Sequence, residues 1–313
     1  MGEITWLHLL VYFSYLFITG IYAWRTVKYA RMPVHIRWEL YPLPGEKERN
    51  YGGSYLEEMD WWERYRPGSF IRKLIHFVTD YLSFRQYYER NKGYWFALYP
   101  MHLGFYLVFI LHILMLFGGL ALVFGMSVSP ESTNILGVLL YYVTLVVGVG
   151  GFFIGSIGCI FLLIKRLTDK DQRAFTPPMY YFNYLFFLSM FASGAYAWLL
   201  FDPSFSIYRE FWESLLTVTP LHLDAATAVH VVLFSLFLIY MPFTRAMHYI
   251  TKVFTFFTVR WNDSPNFRGS NLEKKLQKLL NEPVSWSAPH IQTGKTWGEV
   301  ATEVKYGDEP EVK

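Results

Sequence analysis

Five long apolar runs, separated by polar and charged segments, dominate the hydropathy pattern of this 313-residue chain. Each run is long enough to cross roughly 30 Å of hydrocarbon as a helix of about 20 residues. Backbone polar groups inside a bilayer must be hydrogen-bonded within the chain, so the runs are expected to be helical. We therefore predict an all-α integral membrane protein, a five-helix bundle. The predicted spans are 6–24, 94–124, 134–164, 179–200 and 225–243.

Two segments outside the spans divide the chain. The predicted membrane domain is 1–258, with a long loop at 25–92 between the first two spans, and the predicted tail for partner docking is 259–313. Within the loop, 69–88 has an amphipathic pattern that suits either a helix on the inner membrane surface or one packed on its own bundle. In the tail, Asn271 is expected to cap a short helix running to Asn281.

Basic residues indicate the orientation. They follow the first, third and fifth spans, whereas only Arg209 lies in the connection after the fourth span and none lies after the second. The positive-inside rule then puts the N-terminus outside, and the loop and the C-terminus in the cytoplasm. We expect a multi-pass protein of the cytoplasmic membrane. The basic residues used are Arg25, Lys28, Arg31, Arg37, Lys165, Arg166, Lys170, Arg173, Arg245, Lys252 and Arg260.

Composition narrows the classes of function. The chain is 53% hydrophobic, 20% aromatic and 17% charged, and its net charge of +3 is accounted for by topology, so no nucleic-acid partner is expected. Its one cysteine, Cys159, lies inside a span. A single thiol excludes a disulfide within the chain and a cysteine-ligated iron–sulfur cluster held by this chain alone.

Four histidines form two matched sets, one on the second predicted span and one on the fifth span and just past its inner end. His102 and His112 lie ten residues apart, and His230 and His248 eighteen apart. At about 1.5 Å per residue on antiparallel helices, depth pairs His102 with His248 near the inner face and His112 with His230 near the outer face. Each pair could supply both axial ligands of a haem iron. The unequal rises, about 15 and 27 Å, require helix tilt or the kinks that Pro100 and Pro242 would introduce.

Other interpretations of these histidines remain open. A histidine in an apolar helix is often a hydrogen-bonded core residue rather than a ligand, and a proton relay in a transporter would also place histidines inside a membrane. The relay predicts polar residues along a path, whereas Leu, Phe, Ile, Met and Gly surround His102 and His112. Zinc fits poorly, because the expected pairs contain no thiolate and are not tetrahedral.

The histidine spacing and the five-span pattern resemble the dihaem cytochrome b subunit of respiratory nitrate reductase, its gamma subunit. The segments HIRWELYP, YGGSYLEEMDWW and WSAPHIQTGKTWGEVATE depart from the nitrate enzyme and look like relatives from sulfate reducers and methanogens. There, this cytochrome pairs with a cytoplasmic heterodisulfide-reductase-like iron–sulfur subunit. The resemblance covers nearly the whole chain. It implies two b haems, menaquinone or a related quinone as substrate, that cytoplasmic partner, and a role in anaerobic respiration such as sulfate reduction.

Further side chains are candidates around the cofactors. Quinol oxidation releases protons, and His222, Asp224 and His8 are placed for an outer site, although His222 and Asp224 could equally cap the fifth helix. Arg245 and Lys252 are placed for the propionates of the inner haem, or simply obey the positive-inside rule.

We expect electron transfer between the quinone pool and the iron–sulfur subunit. The rival is a haem-free membrane anchor of a soluble redox complex. The direction of electron flow, and any part played by an outer-face cytochrome c or further membrane subunits, stay open.

Overall fold

The computed structural model describes residues 5–32, 70–257, 268–288 and 291–303. The segments HIRWELYP and YGGSYLEEMDWW and the predicted boundary at 258/259 lie outside these residues. The described part is helical, without a β-strand, and the all-α prediction is confirmed. Its α-helices are α1 Trp6–Ala30, α2 Phe70–His76, α3 Arg85–Arg90, α4 Lys92–Val123, α5 Ile135–Thr168, α6 Lys170–Ala174, α7 Pro178–Leu200, α8 Ser206–Thr217, α9 Ala225–Tyr240, α10 His248–Thr255, α11 Asn271–Leu280 and α12 Trp297–Thr302.

Five helices are long and apolar enough to span a membrane, as predicted: α1, α4, α5, α7, and α9 with the 3-10 turn Met241–Phe243 that follows it. The helix ends reflect local chemistry. Asn91 and Asn134 cap α4 and α5, each accepting a backbone N–H of the first turn through its side chain. At its other end α5 extends past the apolar run, because Lys165 and Arg166 place long side chains and favourable positive charge on its last turn.

Glycines bring α4 and α5 into close contact. A Cβ placed on Gly104 would lie 2.3 Å from the Cα of Gly155, and one on Gly158 would lie 2.1 Å from the backbone nitrogen of Met101. No side chain fits at these two crossings. Small residues at helix contacts are typical of membrane bundles, where close packing replaces the hydrophobic effect as the source of helix association.

Helix α8 lies in the connection between α7 and α9 and was not predicted. Its Tyr208, Phe211 and Leu215 are buried and follow helical spacing, whereas Glu210 and Leu216 are exposed. It packs on the C-terminal part of α4, where a Cβ on Gly119 would lie 2.9 Å from its backbone. The helix therefore forms part of the bundle core.

The fifth span does not continue to His248. Helix α9 ends at Tyr240, two 3-10 turns follow at Met241–Phe243 and Arg245–Met247, and His248 begins α10. Pro242 explains the break, because proline donates no backbone hydrogen bond and clashes with the preceding turn. His230 and His248 therefore lie on two different helices, α9 and α10.

The chain forms two compact units, one of Met1–Tyr22 with Phe77–Met247 and one of Ala23–His76 with His248–Lys313. In the second unit, the N-cap of α11 is Ser270, whose hydroxyl accepts the Glu273 N–H, and not Asn271 as expected. An unpredicted helix, α12, begins with a capping box in which Thr296 and Glu299 each accept the other's backbone N–H.

The amphipathic stretch in the loop is helical but interrupted. Helix α2 leads into a π-helix at Phe77–Leu82, and α3 follows after Phe84, which has a left-handed φ of 56°. Phe70 and Ile71 are each 69% exposed, and the apolar residues one turn later are exposed to a smaller fraction.

Candidate functional site

His112 lies in the middle of α4, buried from solvent. Its Nδ1 lies 2.7 Å from the carbonyl oxygen of Val108, and a carbonyl can only accept. In the neutral imidazole, Nδ1 therefore carries the proton and Nε2 carries the lone pair. The Tyr208 hydroxyl, 3.0 Å away, donates to that Nε2. Burial raises the pKa of Tyr208, which keeps this phenol protonated and able to donate.

His230 on α9 has the same tautomer for a different reason. Its Nδ1 lies 3.1 Å from the Ser193 hydroxyl oxygen of α7. The Ser193 hydroxyl already donates to the Met190 carbonyl at 2.9 Å, so it must accept from His230 Nδ1. His230 Nε2 then carries a lone pair, and it is buried without a hydrogen-bond partner.

The structure brings His112 and His230 to the same two aromatic side chains. The Tyr208 ring lies 6.0 Å from His112 and 6.1 Å from His230, between ring centroids. The Phe234 ring stacks on His112 at 3.7 Å and lies 6.5 Å from His230. These two histidines, predicted as a pair, therefore belong to one side-chain cluster.

Glycine makes room beside His230. A Cβ on Gly194 of α7 would lie 2.4 Å from the Phe152 ring and 2.8 Å from His230 Cε1. The Phe152 ring packs edge-on against His230 at 5.1 Å. The imidazole position thus depends on packing against α5 and α7.

His102 and His248 belong to different compact units. His102, on α4, turns its Nδ1 to the Leu98 carbonyl oxygen at 2.9 Å and packs edge-on against Phe84 at 4.7 Å. Its neutral imidazole has the tautomer found in His112. His248 is exposed at the first residue of α10.

His8 differs from the predicted ligands. Ser214 donates its hydroxyl proton to the Phe211 carbonyl, so it must accept from His8 Nε2 at 3.0 Å. The Thr5 hydroxyl, 2.5 Å from Nδ1, then donates to it. Because both nitrogens of the neutral ring are engaged, His8 offers no lone pair to a ligand.

His222 and Asp224 lie in different environments in the structure. His222 is exposed in the connection before α9. Asp224 is the N-cap of α9, and its Oδ1 accepts the backbone N–H groups of Ala226 and Thr227, both at 2.9 Å. Capping therefore occupies one carboxylate oxygen. The other, Oδ2, is buried without a partner.

The two predicted propionate partners also occupy different units. Arg245 is exposed in the first, where its Nη1 donates to the Tyr180 hydroxyl at 2.6 Å and its guanidinium lies 5.6 Å from that ring. Lys252 lies on α10 in the second, where burial lowers the pKa of its amine.

Several residues of the site were missed in the sequence. Tyr208 and Ser214 come from α8, and Ser193 and Gly194 from α7. Arg209, also on α8, is 2% exposed and donates to the Val128 carbonyl. Burial lowers the pKa of Arg209, and the neighbouring Asp202 carboxylate partly offsets this. The helical spacing of Tyr208, Phe211 and Leu215 was the available signal.

The donor set of His112 and His230 fits axial ligation of a haem iron. Histidine ligands usually donate the ring N–H to a carbonyl or another fixed acceptor and present the other nitrogen to the metal. Both histidines make the first contact, but only the Nε2 of His230 is unpartnered, because that of His112 accepts from Tyr208. Phe234 and Tyr208 lie against His112, so binding of a macrocycle there requires both side chains to move. No protein-family model, curated protein or solved structure matches the chain.

Proposed function

We propose that this protein is a membrane cytochrome b with two bis-histidine b haems. It would pass electrons between a menaquinone pool and a cytoplasmic, heterodisulfide-reductase-like iron–sulfur subunit. When bound, the haem irons supply reversible one-electron chemistry, and the protein supplies their placement and electrostatic environment. The observation that supports this proposal most directly is the Nε2 of His230, which has no hydrogen-bond partner and is buried in one cluster with His112.

The energetic argument favours a ligand at this position. An unsatisfied buried polar atom costs roughly 1–3 kcal/mol, which a metal bond would remove. Ser193 and the Val108 carbonyl fix the two rings with Nδ1 protonated, so no tautomer change is needed before ligation. His230 differs in this respect from His8 and His112, which have both nitrogens hydrogen-bonded within the chain.

The second haem would be held by His102 and His248, with Arg245 and Lys252 near its propionates. The Nδ1–H of His102 is directed to the Leu98 carbonyl, so Nε2 carries the lone pair of the neutral ring. The distribution of charge supports placing this pair near the inner face of the membrane. Basic residues, which favour the cytoplasmic side, lie at the end of α5 and in the segment after α9. His112 and His230 would then lie near the outer face.

Docking of a cytoplasmic partner would use the second unit. Trp286 is 50% exposed between α11 and α12, and Phe70 and Ile71 of α2 are exposed as well. Exposed large aromatic residues are typical anchors of protein interfaces. Any iron–sulfur cluster on this path would belong to the partner, because one cysteine, Cys159, cannot hold a cluster alone.

A haem-free membrane anchor is the second candidate function. The observation that favours it is the contact between His112 and Phe234, stacked at 3.7 Å, together with the Tyr208 hydrogen bond. Both satisfy His112 from within the chain. In that function, the histidines would stabilise the bundle and the redox chemistry would lie wholly in the partner.

Redox titration of histidine variants tests the proposal. Optical titration of the purified protein is expected to show two haem components. His112→Ala and His230→Ala should lose one common component, and His102→Ala and His248→Ala the other. The exposed His222 provides the control, since His222→Ala should keep both components. Loss of a shared component by His102→Ala and His230→Ala would contradict the pairing.

A further inference from the structure

Arg166, in the last turn of α5, holds a positive charge among neutral groups. Its Nη1 donates to the Thr176 hydroxyl at 3.1 Å, and its Nη2 donates to the Tyr94 hydroxyl at 3.2 Å. Among the ion pairs of the described residues, none joins Arg166 to a carboxylate. A charge that is partly withdrawn from water is normally balanced by an opposite charge. The described part of the chain does not supply that counter-ion to Arg166.

The guanidinium keeps donors for a group from outside the chain. Arginine has five N–H donors. Two of them are used by Thr176 and Tyr94, and the Nε–H is buried without a partner. One N–H on each Nη nitrogen is left, on a side chain that is only partly buried. Paired N–H groups of an arginine match the oxygens of a phosphate or a carboxylate.

A second guanidinium and two aromatic rings surround these donors. The Tyr180 ring centroid lies 5.8 Å from the guanidinium carbon of Arg166 and 5.6 Å from that of Arg245. The Tyr94 ring lies 5.9 Å from Arg166. The contacts therefore place two positive charges beside one phenol ring. Such an arrangement favours a ligand with net negative charge over a neutral or zwitterionic one.

This arginine patch, made of Arg166, Arg245, Tyr94 and Tyr180, lies where three spans share an end. Helices α4 and α7 begin there, α5 ends there, and all three are long and apolar enough to cross a membrane. The ends of spans lie at the level of the lipid headgroups, where tyrosine is common. Further along α7, Phe182 and Leu185 are each 54% exposed and offer an apolar surface to acyl chains. Basic pockets between spans are known to bind anionic headgroups.

We propose that Arg166 and Arg245 bind the headgroup phosphate of an anionic phospholipid such as phosphatidylglycerol. The phosphate oxygens accept from the remaining Nη N–H groups of Arg166, and the acyl chains follow the exposed apolar side of α7. The choline of a zwitterionic lipid would bring a further positive charge to the two guanidinium groups, so a headgroup with net negative charge is preferred. This inference goes beyond the proposed electron transfer and does not depend on haem binding.

Lipid binding by the purified full-length protein tests the arginine patch. Phosphatidylglycerol and phosphatidylcholine with the same acyl chains are titrated into the protein in detergent micelles, and bound lipid is counted by native mass spectrometry. The wild type should bind phosphatidylglycerol more tightly. Arg166→Gln should weaken that binding about fivefold and leave phosphatidylcholine binding unchanged. Arg173→Gln is the matched control, because it removes the same charge from an exposed position on α6 and should keep the affinity.

A second variant separates the charge of Arg166 from its geometry. Arg166→Lys keeps the charge but lacks the paired N–H groups, so it should lose affinity by a smaller factor than Arg166→Gln. If Arg166→Gln does not fold, an Arg166→Lys protein that binds phosphatidylglycerol like the wild type overturns the inference.

Three other results would also overturn it: equal affinity of the wild type for the two lipids, unchanged affinity in Arg166→Gln, or an equal loss in Arg173→Gln. Glycerol phosphate, which has the headgroup chemistry without acyl chains, should not displace the lipid at equal concentration. Displacement would indicate a site for free phosphate instead. Arg245 is also the proposed propionate partner of the second haem, so haem content is measured in the same samples. Lost haem with unchanged lipid affinity in Arg166→Gln would assign Arg166 to a propionate and contradict the lipid site.

Discussion

Gly194 is the position where the packing around His230 can be tested most sharply. In Gly194→Ala, the new methyl group would lie 2.4 and 2.5 Å from two carbons of the Phe152 ring and 2.8 Å from His230 Cε1. Ordinary contacts between carbon atoms are about 3.5–4.0 Å. One of the rings must therefore move by about 1 Å, and Phe152 is only 1% exposed and has little free space.

The expected magnitude follows from that overlap. Overpacking of a dense interior typically costs about 1–3 kcal/mol. Gly150→Ala is the control, since its Cβ would lie 3.5 Å from the nearest atom, a methyl carbon of Leu107. That contact is ordinary, and alanine is the better helix former by roughly 1 kcal/mol in water. We expect Gly150→Ala to be neutral or slightly stabilising.

Reversible unfolding in mixed micelles with increasing dodecyl sulfate, followed by circular dichroism, measures the difference in the free energy of unfolding. Gly194→Ala should unfold at lower denaturant than the wild type, and Gly150→Ala should not. Haem absorbance of the same samples should fall only in Gly194→Ala, because the added methyl group displaces His230, a proposed haem ligand, or the Phe152 ring packed against it. Equal stability of the two alanine variants would refute the assignment of Gly194 as a packing determinant of the site.

Three further results are expected. Tyr208→Phe should destabilise the haem-free protein by about 1–3 kcal/mol because His112 Nε2 loses its donor, but it should leave the haem content unchanged; lost haem would argue against this reasoning. Deletion of 282–313 should release an iron–sulfur subunit from membranes with the haem spectrum intact, whereas a partner that stays bound would place docking on the loop at 25–92. The Thr296 backbone and side chain lower the pKa of Glu299, so its stabilisation of α12 is present above the ordinary carboxyl pKa and is lost as pH falls through the lowered value. Amide exchange in α12 corrected for pH should therefore quicken in acid, and no change from neutral to acid pH would contradict the capping box.

The spans could be predicted because a long apolar run, whose backbone groups must be hydrogen-bonded within the chain, has few alternatives to a membrane-spanning helix. Helix α8 was missed because its polar residues, such as Arg209 and Glu210, lower its hydropathy, and only the spacing of Tyr208, Phe211 and Leu215 marks it. The break after α9 was foreseen only as a kink. Pro242 makes a helix interruption probable in the sequence, but two successive 3-10 turns depend on local packing.

The residue types of the site could be predicted from the sequence, but the tautomers and hydrogen-bond partners of those residues could not. The tautomer of His230 depends on Ser193, which lies 37 residues away on another helix and has no sequence signal. Asp224 admitted two interpretations, as cap and as functional carboxylate. In the structure, Oδ1 of Asp224 caps α9 and Oδ2 has no hydrogen-bond partner. The sequence does not show that the two oxygens of one carboxylate differ in this way.

The haem content of the purified full-length protein is the most direct test of the central claim. Pyridine haemochrome analysis should give two protohaems per chain, released without covalent attachment, since the chain has no Cys-x-x-Cys-His motif. Four histidines in two pairs would allow two haems. A value of zero would contradict the cytochrome assignment and leave the haem-free anchor, and a value of one would contradict the second histidine pair.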